Sequence, residues 1–323
     1  MRTLIVHNPR SGFGSDAIFQ FQRALIKAGD ESVLRMLSRN FDPREAVADA
    51  KDFDVVVASG GDGTVASVLH AMAGSKIPVC AFPSGTANLY CENLGNTNEP
   101  QALARACRIG RTADLDLGEI AWQTSPGTAE KRGFALMSGM GYDAQLMSAA
   151  LPNKKSLGEA AYYAAALENP HPKIVDFKIT VDDEVYERRG IMCLVANTAM
   201  IQNDINIVSG CRMDDGKLDV IVVEIENAAQ IVRPLLSGLF DRKGSKSGRP
   251  HIESFSGRRI LVEPSEPMPI EVDGEVCEGL ASCYEARSLP GAARIIVDAM
   301  SEYGKAKDGE PRFGEVEDQA FPS

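Results

Sequence analysis

Gly60-Gly61-Asp62-Gly63-Thr64 is the stretch that decides the fold, because it lies where a strand pattern ends and a helix pattern begins. Residues 53–58 before it have the β-branched richness of a buried strand. Residues 65–73 after it place apolar side chains at helical spacing. Glycines in such a turn let backbone N–H groups approach a ligand closely, and the start of a helix favours a bound phosphate. A carboxylate at Asp62 beside that phosphate indicates a divalent cation, so we expect a kinase-like site.

The composition is that of a globular protein with room for two domains in its 323 residues. A net charge of −11 argues against a broad surface for nucleic acid. The seven cysteines have no paired spacing, which predicts reduced thiols rather than disulfides or a zinc site. The sequence has neither a signal peptide nor an apolar run long enough to span a bilayer. We therefore expect a cytoplasmic protein, whose contact with a membrane is peripheral and at its inner face. No feature indicates an oligomeric state.

The first 118 residues alternate strand-like and helix-like segments, which predicts an α/β domain with a doubly wound parallel sheet. The expected strands are at 4–7, 32–37, 53–58 and 77–81, and the expected helices at about 16–28, 43–51 and 65–73. Ligands of such sheets bind at the carboxyl ends of the strands. The loops at 8–12, 59–64 and 83–88 each follow a strand, so we expect them to share one cleft.

Residues 119–297 have a different pattern, with many strands separated by turns, which predicts an antiparallel β-sandwich as a C-terminal domain. The expected strands include 176–181, 191–196, 218–223, 259–262 and 270–272, with one helix at about 157–168. We expect the chain to rejoin the N-terminal domain at about 298–306. Residues 307–323 are polar and acidic, which predicts a disordered tail.

Several segments have an ordinary as well as a functional interpretation. Residues 8–12 suit a βα turn, and residues 83–88 suit a helix start that Ser84 or Thr86 caps. Asp273-Gly274-Glu275 contains a standard hairpin dipeptide, and residues 212–217 also suit a surface turn. The basic stretch at 242–249 is either solvated or in contact with anionic lipid head groups.

Six motifs in a fixed order make the sequence resemble the diacylglycerol kinase catalytic-domain family, which includes sphingosine kinases, ceramide kinases and bacterial soluble lipid kinases. The motifs are Asn8-Pro9-Arg10-Ser11-Gly12, Gly60-Gly61-Asp62-Gly63-Thr64, Gly85-Thr86-Ala87-Asn88, Gly139-Met140-Gly141-Tyr142-Asp143-Ala144, Asp215-Gly216-Lys217-Leu218-Asp219 and Asp273-Gly274-Glu275. The resemblance extends over residues 3–297. It implies that ATP lies between an α/β domain and a β-sandwich domain that binds the lipid.

The resemblance also implies roles for individual residues. The residues implied to bind the nucleotide are Asn8, Pro9, Arg10, Ser11, Gly12, Ser38, Gly60, Gly61, Asp62, Gly63, Thr64 and Thr86. The segment with Asp273 and Glu275 supplies the general base of the family. We favour Glu275 as the base with Asp273 supporting it, and the reverse assignment stays open. Two carboxylates two residues apart on a strand face the same way, so one can raise the pKa of the other.

The family also implies Mg²⁺. A structural ion would be bound by Asp215 with the backbone carbonyls of Arg212 and Lys217. Asp116 would belong to a network of carboxylates, water and Mg²⁺ with Asp62. The family often has an aspartate at the position of Leu89, between these two partners, and this sequence lacks it.

These features lead to one expected function and two alternatives. We expect an ATP-dependent lipid kinase that phosphorylates a hydroxyl of diacylglycerol, a sphingoid base, ceramide or a related lipid. The first alternative is a kinase that resembles NAD kinase and acts on a soluble substrate. NAD kinase shares the glycine-rich turn. The second is a nucleotide-binding regulatory protein with little activity, because Leu89 and residues 201–213 depart from the family pattern.

Overall fold

A computed structural model describes residues 1–11, 16–124, 128–142, 144–145, 172–201, 205–224 and 251–304. The chain forms two compact units, the first from Met1–Leu115 and the chain from Gly291 onward, the second from Asp116–Pro290. The expected helix at 157–168, the basic stretch at 242–249 and the tail from 307 lie outside the described residues.

The first unit contains a parallel sheet with the strand order β2-β1-β3-β4. The strands are β1 (Arg2–His7), β2 (Glu31–Met36), β3 (Val55–Gly60) and β4 (Val79–Pro83). The helices are α1 (Ala17–Lys27), α2 (Pro43–Ala46), α3 (Asp62–Ala71), α4 (Leu89–Leu94) and α5 (Pro100–Ile109), with 3₁₀ turns at Ala50–Asp52 and Glu302–Gly304. All six residues of β3 are buried, as expected for a strand covered on both faces.

The core of this unit lies where the sheet packs against α1 and α5. Phe21 of α1 and Phe82 of β4 contact edge to face, with ring centroids 5.3 Å apart. Leu25, one helical turn after Phe21, is fully buried, as is Leu103 of α5. The spacing of Phe21 and Leu25 therefore sets the face of α1 that packs on the sheet.

Three helices differ from the sequence expectations. α3 begins at Asp62 instead of at 65, because Gly61 has an extended conformation and a carboxylate suits the positive end of a helix. α2 ends at Ala46 instead of near 51, where Arg35 donates a hydrogen bond to the Ala46 carbonyl. The sequence analysis did not identify α5.

The second unit is antiparallel. One sheet has six strands in the order β14-β13-β10-β7-β16-β17, and another run of strands has the order β18-β15-β8-β9, with β5 paired to both β18 and β6. The strands are β5 (Thr112–Thr124), β6 (Thr128–Phe134), β7 (Met137–Gly141), β8 (Val175–Val181), β9 (Glu184–Gly190), β10 (Met192–Ala196), β11 (Met200–Ile201), β12 (Ile205–Asn206), β13 (Leu218–Val223), β14 (Ile252–Gly257), β15 (Arg259–Pro264), β16 (Ile270–Val272), β17 (Glu275–Val276) and β18 (Ala281–Ile296).

Side chains from both groups of strands form one apolar core in the second unit. Phe134, Phe177, Val195 and Tyr284 are among its fully or almost fully buried members. A parallel N-terminal sheet followed by an antiparallel C-terminal sandwich confirms the predicted fold class. Among the described residues, no helix is both long and apolar enough to cross a membrane.

Candidate functional site

The loops that follow β1, β3 and β4 are joined by hydrogen bonds in the first unit. Asn8 Nδ2 donates to Thr64 Oγ1 at 3.0 Å, and the N–H of Gly61 donates to Ser11 Oγ at 3.1 Å. The N–H of Ser84 donates to the Gly60 carbonyl at 3.1 Å. The structure therefore brings together the three loops that the sequence analysis singled out.

Two glycines of different loops approach each other so closely that Gly85 has no room for a side chain. A Cβ atom on Gly85 would lie 2.5 Å from the Cα atom of Gly61, whereas a Cβ atom on Gly61 would lie 3.6 Å from the Cα atom of Gly85. α3 begins directly after Gly61, and the first N–H groups of a helix have no partner within it. The backbone at this point can therefore approach an anionic group such as a phosphate.

Asn88 shapes the loop after β4. Its φ is 52°, in the left-handed region, and its side chain accepts a hydrogen bond from the Gly85 N–H at 2.7 Å and donates one to the Gly85 carbonyl at 3.0 Å. The expectation that Ser84 or Thr86 caps the next helix is wrong, because α4 begins only at Leu89 and has no side-chain cap. Thr86 is exposed in the same loop.

A chain of polar groups, of which His7 and Ser59 are buried and Ser84 is partly buried, lies at the ends of these strands. His7 Nδ1 is 2.8 Å from Ser59 Oγ, which is 2.8 Å from Ser84 Oγ. Burial lowers the pKa of His7, although a hydrogen bond with the Ser59 backbone opposes this shift. The sequence analysis missed this chain, since its three members come from different strand ends.

The remaining nucleotide-site predictions have different surroundings. Asp62 Oδ1 accepts a hydrogen bond from the backbone N–H of Tyr90 at 2.9 Å, next to the position where the family often has an aspartate. Arg10 donates to the Ser38 carbonyl at 2.9 Å, so these two predicted residues are in contact. Pro9 is exposed, and Gly12 lies outside the described residues.

In the second unit, Asp273 and Gly274 form a tight hairpin turn. Val272 pairs with Glu275 across it, and both turn residues have positive φ, 49° and 80°. The argument that Asp273 and Glu275 face the same way along one strand is therefore wrong, because Asp273 belongs to the turn. Its carboxylate accepts hydrogen bonds from the N–H groups of residues 135, 136 and 137 at 2.8, 2.8 and 3.1 Å.

Glu275 has a more open position than Asp273. Its side chain is 59% exposed and forms an ion pair with Arg132. Glu271, by contrast, is only 1% exposed and accepts a hydrogen bond from the Gly274 N–H at 2.7 Å. Arg132 and Glu271 are residues that the sequence analysis missed, because neither belongs to a recognisable motif.

The predicted metal ligands lie around one turn of the second unit. Asp116 is 2% exposed, and its carboxylate accepts a hydrogen bond from the Gly216 N–H at 2.6 Å. Asp215 is exposed, and its carboxylate accepts from the Lys217 N–H at 2.9 Å. Arg212 is paired with the neighbouring Asp214.

The donor set of this turn fits Mg²⁺. No group of three or more His, Cys, Asp or Glu side chains is gathered among the described residues. Mg²⁺ does not need one, because it is usually bound through one or two carboxylates and keeps several waters. The exposed carboxylate of Asp215 and the backbone carbonyls of Arg212 and Lys217 would offer oxygen ligands only.

Asn197 connects the two candidate segments of the second unit. It is fully buried, and its Nδ2 donates to the Asp116 carbonyl at 2.9 Å and to the Ala135 carbonyl at 3.0 Å. The N–H of Ala135 donates to Asp273. The side chain of Asn197 therefore links the backbone of Asp116 to the backbone that binds the Asp273 carboxylate. The sequence analysis missed Asn197.

Comparison with known proteins identifies two families along the chain. The diacylglycerol kinase catalytic domain matches residues 2–120, and the YegS C-terminal NAD kinase beta sandwich-like domain matches residues 137–297. Residues 2–120 thus match the diacylglycerol kinase catalytic domain, and the rest of the match belongs to a different domain family. The predicted resemblance to this family is thereby confirmed.

Relatives with the name diacylglycerol kinase match most of the chain. The protein of Bacillus subtilis (strain 168) is 25% identical over 284 residues, covering 85% of this chain and 89% of its own. The protein of Mycobacterium tuberculosis (strain H37Rv) is 26% identical over 305 residues, covering 90% and 93%. A crystal structure of a diacylglycerol kinase from Bacillus anthracis covers 92% of this chain and 97% of its own with a TM-score of 0.69 and 21% identity, which supports the fold. The match of residues 2–120 to a kinase catalytic domain implies the use of a nucleotide.

Proposed function

We propose that the protein is an ATP-dependent lipid kinase, which phosphorylates a hydroxyl of diacylglycerol, a sphingoid base, ceramide or a related lipid. The observation that carries this proposal is the close approach of Gly61 and Gly85 at the start of α3. It brings two glycine-rich loops together at the start of a helix, where backbone N–H groups suit a phosphate, in a chain whose residues 2–120 match a kinase catalytic domain. The relatives named diacylglycerol kinase favour a lipid as the acceptor.

The residues of the three joined loops would bind the nucleotide phosphates. Backbone N–H groups at the start of α3 would stabilise negative charge without reorganising, which is the main requirement of phosphoryl transfer. Asn8 and Ser11 position this segment through their bonds to Thr64 and Gly61. Arg10, Ser38 and Thr86 are further candidates for contact with the nucleotide.

Glu275 is the better candidate for the general base, and Asp273 for its support. A base has to accept a proton from the lipid hydroxyl, and the Asp273 carboxylate already accepts three backbone hydrogen bonds. Glu275 is exposed and so is accessible to a substrate. Arg132 orients its carboxylate through their ion pair.

Mg²⁺ would be held in two places. Asp62 is the candidate for the ion that accompanies the nucleotide, and Asp215 with the carbonyls of Arg212 and Lys217 for a structural ion. Bound Mg²⁺ neutralises charge on transferring phosphates. Asp116 supports the second place, because its carboxylate holds the turn through Gly216.

A lipid substrate implies contact with a membrane surface. Peripheral contact at the inner face of the cell membrane would give the protein both its substrate and cytoplasmic ATP.

The proposal is tested by incubating the full chain with γ-labelled ATP, Mg²⁺ and a panel of lipids in detergent micelles, with NAD⁺ in a parallel reaction. We expect label in a lipid, and we expect Asp62→Ala and Glu275→Ala to abolish it. Label only in a product of NAD⁺ would favour the soluble-substrate alternative. Binding of ATP without any transfer would favour the regulatory alternative. That alternative is suggested by Leu89, which departs from the family pattern.

A further inference from the structure

Helices α1 and α5 form a surface whose charge is opposite to that of the protein. They line a groove of about 700 Å³ in the first unit, and the side chains along it include Arg23, Lys27, Arg105 and Arg108. Neither helix contains an aspartate or a glutamate. The whole chain has a net charge of −11, so four cations around one groove are a local exception.

Most of this positive charge is directed to solvent. Arg23, Lys27 and Arg105 are exposed, and among the described residues none of them has a carboxylate within ion-pair distance. Arg108 is paired with Asp30 at 3.3 Å. The nearest other carboxylates on these elements are Asp16 and Glu99, at the first end of each helix.

Apolar side chains lie beside the cations on α1. Phe19 is 41% exposed and Ile26 is 55% exposed. They are seven residues apart, which places them on one face of the helix, next to the face with Arg23 and Lys27. The opposite face, with Phe21 and Leu25, is buried against the sheet, so the apolar and basic rows both point outward.

We propose that the surface formed by Phe19, Arg23, Ile26, Lys27 and Arg105, with Arg108 at its edge, binds a bilayer that contains anionic phospholipid. A cluster of cations attracts anionic head groups, and adjacent exposed apolar side chains insert at the level of the head groups. Phe19, in the first turn of α1, contacts His7 edge to face with ring centroids 6.5 Å apart, so this end of the surface adjoins the strand end that carries a proposed nucleotide loop, whereas Arg23 and Lys27 lie farther along α1. The inference rests on the peripheral membrane contact of the proposed function and names the surface that makes it, and it can be tested separately because binding to a bilayer requires neither ATP nor a substrate.

The same chemistry argues against two other occupants. Nucleic acid is bound through cations along its phosphates, but it gives no role to an exposed Phe19 and Ile26, and the negative charge of the whole chain opposes it. A second copy of this chain is acidic overall and could in principle attract a basic surface. In a symmetric contact, however, the same four cations of the two copies would face each other.

The test measures sedimentation of the full chain with phosphatidylcholine vesicles, with and without phosphatidylglycerol, in the absence of nucleotide. The wild-type protein should bind only the anionic vesicles at low salt, and high salt should release it. R23Q/K27Q should bind about 25-fold more weakly, since each basic residue contributes about a factor of five near such a surface. F19S/I26S should weaken binding by about tenfold.

The matched control is K51Q/K76Q, which removes the same charge from two exposed lysines of the same unit outside α1 and α5. It should bind as the wild type does, and both K51Q/K76Q and R23Q/K27Q should unfold at the same urea concentration as the wild type. The proposal is overturned if R23Q/K27Q binds as tightly as K51Q/K76Q, or if uncharged vesicles bind equally well. Binding of duplex DNA or a change of oligomeric state that depends on Arg23 and Lys27, without vesicle binding, would also overturn it. Label transfer to lipid in detergent micelles should be unchanged in R23Q/K27Q. A loss of vesicle binding can therefore be told apart from a failure of the kinase proposal, which would show as absent label transfer in the wild type.

Discussion

At the scale of single residues, the contact between Gly61 and Gly85 separates two substitutions that look alike. Gly85→Ala would place a methyl group 2.5 Å from the Gly61 Cα atom, and Gly61→Ala would place one at an ordinary distance of 3.6 Å. We expect Gly85→Ala to lower the free energy of unfolding by about 1–3 kcal/mol, as overpacking does. Gly61→Ala should change it by less than about 1 kcal/mol.

Urea unfolding measures this difference, and titration with ATP adds a second readout. If Gly61 faces a phosphate, its methyl group should weaken ATP binding although the fold is intact. Equal losses of stability in the two variants would show that the loops are not packed as described.

His7 predicts a pH dependence of stability. Burial lowers its pKa in the folded protein, so the unfolded chain binds more protons over the interval from the lowered pKa up to the ordinary value of about 6.5. Stability is therefore fully present above this interval and falls as the pH falls through it. His7→Gln should remove this part of the dependence. Parallel curves of unfolding free energy against pH for the two proteins would contradict the burial of a neutral His7.

At the scale of elements, the two carboxylates at the hairpin turn have different expected roles. Asp273 is expected to stabilise the turn, and Glu275 is expected to act in the chemistry. Asp273→Asn keeps a residue that tolerates positive φ but removes the charge that accepts three N–H groups, so we expect a loss of about 2–4 kcal/mol in unfolding free energy. Glu275→Gln removes only an exposed ion pair, worth about 0–1 kcal/mol. It should instead lower kcat by about 10²–10⁴-fold, as loss of a general base does.

Urea unfolding and label transfer, measured on both variants, test this division. A Glu275→Gln variant with normal turnover would remove Glu275 from the mechanism, whatever its stability.

The turn at residues 212–217 gives a prediction about Mg²⁺ that does not depend on activity. If Asp215 binds the ion, Mg²⁺ should raise the thermal unfolding midpoint of the wild type in the absence of nucleotide. Asp215→Asn should abolish this increase and leave the midpoint in EDTA almost unchanged, because Asp215 is exposed. Asp214→Asn is the matched control and should respond to Mg²⁺ as the wild type does. An undiminished response in Asp215→Asn would place the ion elsewhere.

At the scale of the whole molecule, bound nucleotide should stabilise the folded chain. Mg²⁺ and ATP at about 100 times the dissociation constant should add about 2.7 kcal/mol to the free energy of unfolding. Asp62→Ala should reduce this increase, and calorimetry with and without ATP measures it. No stabilisation by ATP at any concentration would contradict a nucleotide site.

The parts of the molecule that were predictable from the sequence are those that depend on local pattern. β1, β3 and β4 contain short apolar runs followed by turns, and the glycine-rich turn marks the end of β3. The supports of the site were not predictable, because their partners are far apart in the chain. Asp273 is held by residues 135–137, and Asn197 joins the carbonyls of Asp116 and Ala135.

β5 and β18, the two strands that pass from one unit into the other, are paired with each other, and this has a consequence for how such proteins can diversify. Where the strands leave the first unit, Arg294 forms an ion pair with Asp114 at 2.8 Å, and a Cβ atom on Gly291 would lie 3.7 Å from that of Asp114. The second unit is thus an insertion with adjacent ends. An insertion of this kind can be exchanged for another while the first unit keeps its fold.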